Sequence, residues 1–244
     1  MSRPIRFSVF VVVSLLLVAL AAPIAASPAA DGTDVVGHHP DRVLVRIATE
    51  ASAAVLGQDA KHLFGSWYEV PNWPGEAVTD GVQRLERLPQ VEVVELDAVN
   101  RIEPRRAHPA ELLVPAAVTP DDPLYFRQWH LDAIGMPEAW ETTSGSGVVV
   151  AVVDSGISLG GDDLDCRPLA AEFNAITDTS GPGSAADDRN HGTHVAGTIG
   201  QCTNNGVGVA GVAEGVSLMA VKVLDATGSG FNSDIGQGIE WAAS

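Results

Sequence analysis

The stretch Val148-Val149-Val150-Ala151-Val152-Val153-Asp154-Ser155-Gly156-Ile157 decides the architecture of this chain. Valine dominates its first six residues, and β-branched side chains favour an extended backbone. A strand with no polar face is covered on both sides, as strands of a parallel sheet are. Asp-Ser-Gly then ends the run in a tight turn. A second run, Ser217 to Leu224 (SLMAVKVL), repeats the pattern. Between the two, a Gly/Ala-rich helix is predicted to begin near His191. Beyond them Ile235, Ile239 and Ala242 mark another helix, with Ser233 as its N-cap. Strands alternating with helices predict an α/β fold, a parallel sheet flanked by helices. Two clear strands amount to only part of such a domain, and the chain ends in or just after the last helix, at Ser244.

Working upstream, Arg101 to Pro120 (RIEPRRAHPAELLVPAAVTP) is rich in Pro and charge and reads as an exposed linker, with Arg105-Arg106 as a nicking point. Before it stands a small unit. Val43, Val45 and Ile47 alternate with Arg42, Leu44 and Arg46 as in a strand, and Trp67 to Val70 is a second strand ended by Pro71. Val82, Leu85 and Leu88 recur at helical spacing until Pro89, and Val91 to Leu96 is a third strand. With a helix expected near 51–63, the order is β-α-β-α-β, a small α+β domain with an antiparallel sheet. Residues 27–40 read as a polar linker in which His38 and His39 are solvated rather than metal ligands.

The first residues bear on the compartment. Arg3 and Arg6 precede an apolar run from Phe7 to Ala22, and Ile24-Ala25-Ala26 offers small residues for a signal peptidase. The run is shorter than the roughly 20 residues a membrane span needs. A cleaved leader, and no stable membrane anchor, is therefore expected. Export permits a disulfide between Cys166 and Cys202, the only two cysteines. The net charge is −17, and from Ala107 onward 4 Lys and Arg face 18 Asp and Glu. Such acidity argues against nucleic-acid binding; it suits solubility and oxygen ligation of Ca²⁺.

Three features carry possible chemistry. Asp154 lies beyond the carboxyl end of a buried strand, where open α/β sheets bind ligands, although Asp-Ser-Gly is also ordinary turn chemistry. His191 opens His191-Gly192-Thr193-His194-Val195-Ala196-Gly197-Thr198 at a helix N-terminus, where the dipole disfavours imidazolium. Small residues at 192, 196 and 197 would let that helix approach the sheet. His191 and His194 could suggest a metal pair, but the His-Glu-x-x-His pattern of zinc proteases is missing, so His194 is expected to pack or bond behind the site. Gly206 to Gly211 fits G-x-G-x-x-G, yet it follows a helix and a polar loop, against the dinucleotide-binding context.

Taken together, Val-Val-Asp-Ser-Gly-Ile and, downstream, His-Gly-Thr-His-Val-Ala-Gly-Thr resemble the subtilase family of serine proteases. Asn204-Asn205-Gly206, Gly211-Val212-Ala213, Ala220 to Leu224, Gly228-Ser229-Gly230 and Gly238 to Ala242 continue the likeness from about 121 to 244. The resemblance implies a secreted serine endopeptidase in which Asp154 fixes the tautomer of His191 and His191 takes the proton of an attacking serine. It implies that Gly228, Ser229 and Gly230 pair with an extended peptide substrate, with Leu224 lining a subsite. The family's Gly-Thr-Ser-Met-Ala nucleophile motif is not in the sequence, so an inactive fragment carrying Asp and His alone is expected. The resemblance divides the chain into a signal peptide (1–26), a linker (27–40), an inhibitory propeptide domain of ferredoxin-like type (41–104), a linker with the maturation site (105–120), and the incomplete N-terminal portion of the catalytic domain (121–244). The propeptide would be an intramolecular inhibitor and chaperone of a monomer.

The family likeness also implies a structural Ca²⁺ held by Asp163, Asn205, the carbonyls of Thr203, Val207 and Val209, and Asp122. Cys166 and Cys202 lie close in sequence to Asp163 and Asn205, so loops wrapped on one ion would bring them together. A Cys166–Cys202 bridge is expected, the alternative being one free cysteine and one bonded elsewhere. Two other functions compete: a secreted pseudoprotease or interaction module, and, on the glycine motif alone, a nucleotide-binding enzyme.

Overall fold

The structure, a computed structural model, describes residues 9–13, 37–101, 119–161, 163–166 and 168–244. Most of the expected leader, residues 27–36 and the linker 105–118 with its maturation site lie outside the described residues. The one described piece of the leader, β1 (Val9–Val13), is a strand.

The small unit contains β2 (His38–Ile47), β3 (Lys61–Phe64), β4 (Trp67–Pro71), α1 (Val78–Glu86) and β5 (Val91–Arg101). Its strands pair antiparallel in the order β5-β2-β4-β3, with α1 packed on β5 and β2. Val43, Val45, Ile47, Tyr68, Val70 and Leu85 form its core. The helix expected over 51–63 is not formed. A 3-10 segment spans Glu50–Leu56 and Gly57 ends it with φ +100; the chain then enters β3, paired with β4 about a turn at Gly65. Residues 38–40 belong to β2 rather than to a solvated linker, and His39 packs edge-on against Phe231, 4.9 Å between centroids.

The larger unit runs through α2 (Trp129–Ala133), α3 (Met136–Trp140), β6 (Val149–Asp154), β7 (Ala171–Asn174), β8 (Thr179–Ser180), α4 (His191–Gly200), β9 (Ser217–Lys222), β10 (Ser229–Phe231) and α5 (Asn232–Ala243). Among the described residues its sheet has the order β1-β6-β9-β7-β8, parallel except for the β7–β8 hairpin. The sequence pattern missed β7, a short strand whose apolar run is broken by Glu172. In β6 the two-residue side-chain period divides the valines: Val150 and Val152 enter the core with Ala196 and Leu218, whereas Ala151 and Val153 enter the core with Phe173, Val221 and Ile235. The strand is covered on both faces, as its composition requires.

Cys166 and Cys202 form a disulfide, with Cα atoms 5.9 Å apart. It closes a loop of 36 residues in sequence separation, worth roughly 4 kcal/mol in the chain-entropy account.

The two units share one sheet. Strand β10 pairs antiparallel with β5, matching Ser229 with Arg101, Gly230 with Asn100 and Phe231 with Val99. Beside this seam the wholly buried Asp97 meets the first turn of α5: it accepts the Ser233 N–H (3.0 Å), the Ser233 hydroxyl (2.7 Å) and Arg42 Nε (2.7 Å). Ser233 is thus not the N-cap; it sits within the first turn, and a carboxylate from the other unit meets the orphan donors and the positive helix end. Arg42 also reaches Glu69 at 3.2 Å and Asp234 at 3.8 Å.

Burial raises the Asp234 carboxyl to about 6; Asp97 and Glu69 push it the same way, and Arg42 only partly offsets them. A carboxyl raised in the fold is most favourable when protonated, so its cost to stability grows as pH climbs from about 4 through 6. Asp234→Asn is expected to stabilise the protein at pH 8, by roughly 3 kcal/mol at most, raising the melting temperature there and flattening the pH profile between 4 and 6. Thermal scans of both proteins across that range check this; parallel profiles would overturn it.

Candidate active site

Asp154 closes β6 with 1% of its surface exposed. Its carbonyl accepts the N–H groups of Val223 (2.8 Å) and Leu224 (3.2 Å), tying the ends of β6 and β9 together. Its carboxylate accepts the Ser155 N–H at 2.6 Å and faces His191 Nδ1, 2.8 Å from Oδ1 and 2.9 Å from Oδ2. A carboxylate accepts only, so Nδ1 carries the proton and Nε2 is left as the basic ring nitrogen. Both residues expected to be catalytic are brought together. His194 stands apart from this pair: it is exposed and lines a separate cleft of about 330 Å³ with Asp163 and Gln201.

Helix α4 places His191, and what fixes α4 was not foreseen. Asn190 precedes the helix in the left-handed region, φ +65, and its side chain forms no cap bond. Asp187 caps instead. It accepts the N–H groups of Arg189, Asn190 and Thr193, each at 2.9 Å, and the hydroxyls of Thr193 (2.5 Å) and Ser155 (2.8 Å). Burial opposes its ionisation, but these bonds outweigh it and hold the carboxyl below its usual range. Ser155 continues the chain of contacts, since its Oγ accepts the Gly192 N–H at 3.0 Å. Gly192 lies so close to the Gly156 carbonyl that a methyl group has no space there, whereas Gly197 faces Gln201 rather than the sheet. From the other side the buried Lys222 donates to the carbonyls of Ser155 (2.7 Å) and Leu224 (2.9 Å) and pairs with Asp188 at 2.6 Å. An Asp a few residues before a helix is a cap signal; the left-handed Asn190 between them hid it.

The residues expected to bind substrate form one edge. Asp225 accepts the N–H groups of Thr227 (2.8 Å) and Ser229 (3.0 Å), shaping the turn that presents Gly228, Ser229 and Gly230. Gly230 lies against the Val223 carbonyl with no space for a side chain, and Leu224 is buried beneath it as a floor. This edge is occupied by β5, and Arg101 Nε donates to Ser229 Oγ at 3.0 Å.

The oxygen-bearing residues form a second locus, distant in chemistry from the first. Asp163 accepts the Asn205 side-chain amide (3.0 Å), the Val209 N–H (3.0 Å) and the Gln201 amide. Asp122 is buried and accepts the N–H groups of Asn204 (3.0 Å) and Asn205 (3.4 Å). The loop from Thr203 to Val209 turns through left-handed residues at Asn204, Gly206 and Gly208. The G-x-G-x-x-G segment lies in and just after this loop and opens no helix, so it lacks the phosphate-binding context.

Asp187→Ala is expected to destabilise the fold by about 1–2 kcal/mol, the loss of a helix cap. Because the Asp187 carboxyl is held low, its contribution is present above the unfolded value of about 4 and vanishes as pH falls through the folded one. Thermal unfolding should separate the two proteins at pH 7 and bring them together at strongly acid pH; equal melting at pH 7 would contradict the capping role.

Residues 145–244 match the family model described as the Subtilase family. The minor extracellular protease Epr of Bacillus subtilis is 43% identical over 118 residues, 48% of this chain and 17% of that protein. M-protease of Shouchella clausii is 35% identical over 201 residues, 81% of this chain and 46% of that protein. The crystal structure of fervidolysin from Fervidobacterium pennivorans, a keratinolytic enzyme related to subtilisin, superposes with a TM-score of 0.70 at 23% identity, covering 86% of this chain and 35% of that one; it shares the fold. The chain spans less than half the length of these curated relatives. Residues 145–244, which carry Asp154 and His191, thus match the subtilase family model and lie within the fold shared with a subtilisin-related enzyme.

Proposed function

We propose that this chain is the front portion of a secreted serine endopeptidase, made as a precursor with its own inhibitor. The observation that carries the reading is the Asp154–His191 pair beside an edge strand already paired with an extended segment. Asp154 holds the imidazole with Nε2 toward an attacking serine and stabilises the imidazolium formed when the serine proton is taken. The substrate lies antiparallel along Gly228 to Gly230, where the lack of side chains lets two backbones meet. The Gly-Thr-Ser-Met-Ala nucleophile motif is not within residues 1–244, so these residues alone are expected to be inactive.

Residues 41–104 act in this reading as the inhibitor, since β5 fills the edge a substrate needs and Asp97 caps α5. Residues 1–26 direct export, and maturation falls within 105–120. The test is hydrolysis of internally quenched peptides by the secreted gene product that includes the serine motif. His191→Ala should lower kcat by on the order of 10⁶-fold. Turnover indifferent to that change would remove the proposed mechanism, and no turnover in the parent would favour the pseudoprotease or interaction module.

Ca²⁺ belongs to the same reading as a structural ion. Asp163 and Asn205 side chains, the carbonyls of Thr203, Val207 and Val209, and Asp122 are hard oxygen donors of the kind it takes. The fit is supported by the cradle at Gly208, where a Cβ would fall on the Asp163 carboxylate. The ion would supply positive charge to an acidic loop already stapled by Cys166–Cys202. EDTA is expected to lower the melting temperature, and to lower it further in Cys166→Ser/Cys202→Ser. Calorimetry insensitive to Ca²⁺ would remove the ion from this account.

A further inference from the structure

Arg189 stands two residues before His191 and lies over the start of the substrate edge. Its Nε is 3.1 Å, and its Cζ 3.7 Å, from the point a Cβ on Gly228 would occupy. The neighbouring acids are committed elsewhere: Asp188 to Lys222, Asp187 to the start of α4, and Asp225 to Thr227 and Ser229. No carboxylate among the described residues forms an ion pair with the exposed Arg189 guanidinium. Of the other cations described in residues 119–244, Arg127 lies over the Phe126 ring and Lys222 is buried.

The register says which substrate residue it meets. A strand seated as β5 is places successive residues opposite Phe231, Gly230 and Ser229, and its next residue passes the turn at Gly228. The face Gly228 leaves open is the one Arg189 covers. We infer that Arg189 is a specificity-determining residue, selecting an acidic side chain at the substrate residue that follows the one opposite Ser229 and passes Gly228. The guanidinium's planar fork of donors suits a carboxylate, and the same charge repels Lys or Arg at that position. The inference rests on the endopeptidase reading above.

The test uses the complete secreted protease and quenched peptides in which each of the four residues before the scissile bond is varied in turn through Glu, Ala and Lys. One position is expected to favour Glu over Lys in kcat/KM by about fivefold at low salt, the scale of an exposed charge pair, with the preference shrinking as salt is raised. Arg189→Gln should level that preference and Arg189→Glu should reverse it at the same position. Cleavage whose charge ranking is the same in parent and Arg189→Glu would overturn the inference while leaving the endopeptidase intact. Failure to cleave any peptide would overturn the endopeptidase, and this inference with it.

Discussion

The site depends on how closely the first turn of α4 can approach the turn that follows β6. A hydrogen bond of 2.8 Å between Asp154 and His191 requires two backbones to be almost in contact, and Gly192 against the Gly156 carbonyl is where they touch. Three polar groups then hold the approach: Asp187 draws the helix start inward, Ser155 bridges it to the strand end, and Lys222 fixes the Ser155 carbonyl from beneath. Each is satisfied by several partners, as polar groups at low exposure must be. The imidazole is therefore aimed by a network, of which the Asp154–His191 pair is the visible end.

That network shows where sequence reading works and where it stops. The valine run of β6 and the mixed run of β9 were legible because both cores they feed are apolar, and periodicity carries that information. The pairing of Asp154 with His191 was legible because their motifs sit at the end of β6 and the start of α4. Asp187 was not, since its cap acts across a left-handed Asn190 and no local pattern encodes that. Asp97 was further from reach. Its partner Ser233 looks like a self-sufficient N-cap, and only the docking of the small unit turns it into a donor. The 3-10 segment at Glu50–Leu56 was read as the start of a longer helix because alanines favour helix locally, whereas pairing of β3 with β4 took the residues that followed.

The seam between the units has an economy of its own. Strand β5 belongs to the small unit's sheet through β2 and to the larger unit through β10. An edge strand is a hazard if left bare, and here the exposed backbone of β10 is covered by a strand already rigid on its other side. The flanking contacts of Arg42 with Asp97, Glu69 and Ser233 are polar and directional, so they set the register of a seam whose backbone bonds alone could slip.

The bond between Asp97 and Ser233 joins positions 136 residues apart, and that between Arg42 and Ser233 joins positions 191 apart. Closing a ring of the smaller size costs about 4 kcal/mol in loop entropy, beyond any constant term. Contacts of such high contact order form late, after the local hairpins and helices that make them possible. The first turn of α5, whose donors wait on Asp97, is thus among the last parts of the molecule to become fully bonded. The first turn of α5 therefore takes the Asp97 acceptor only from the small unit, across a sequence span of 136 residues.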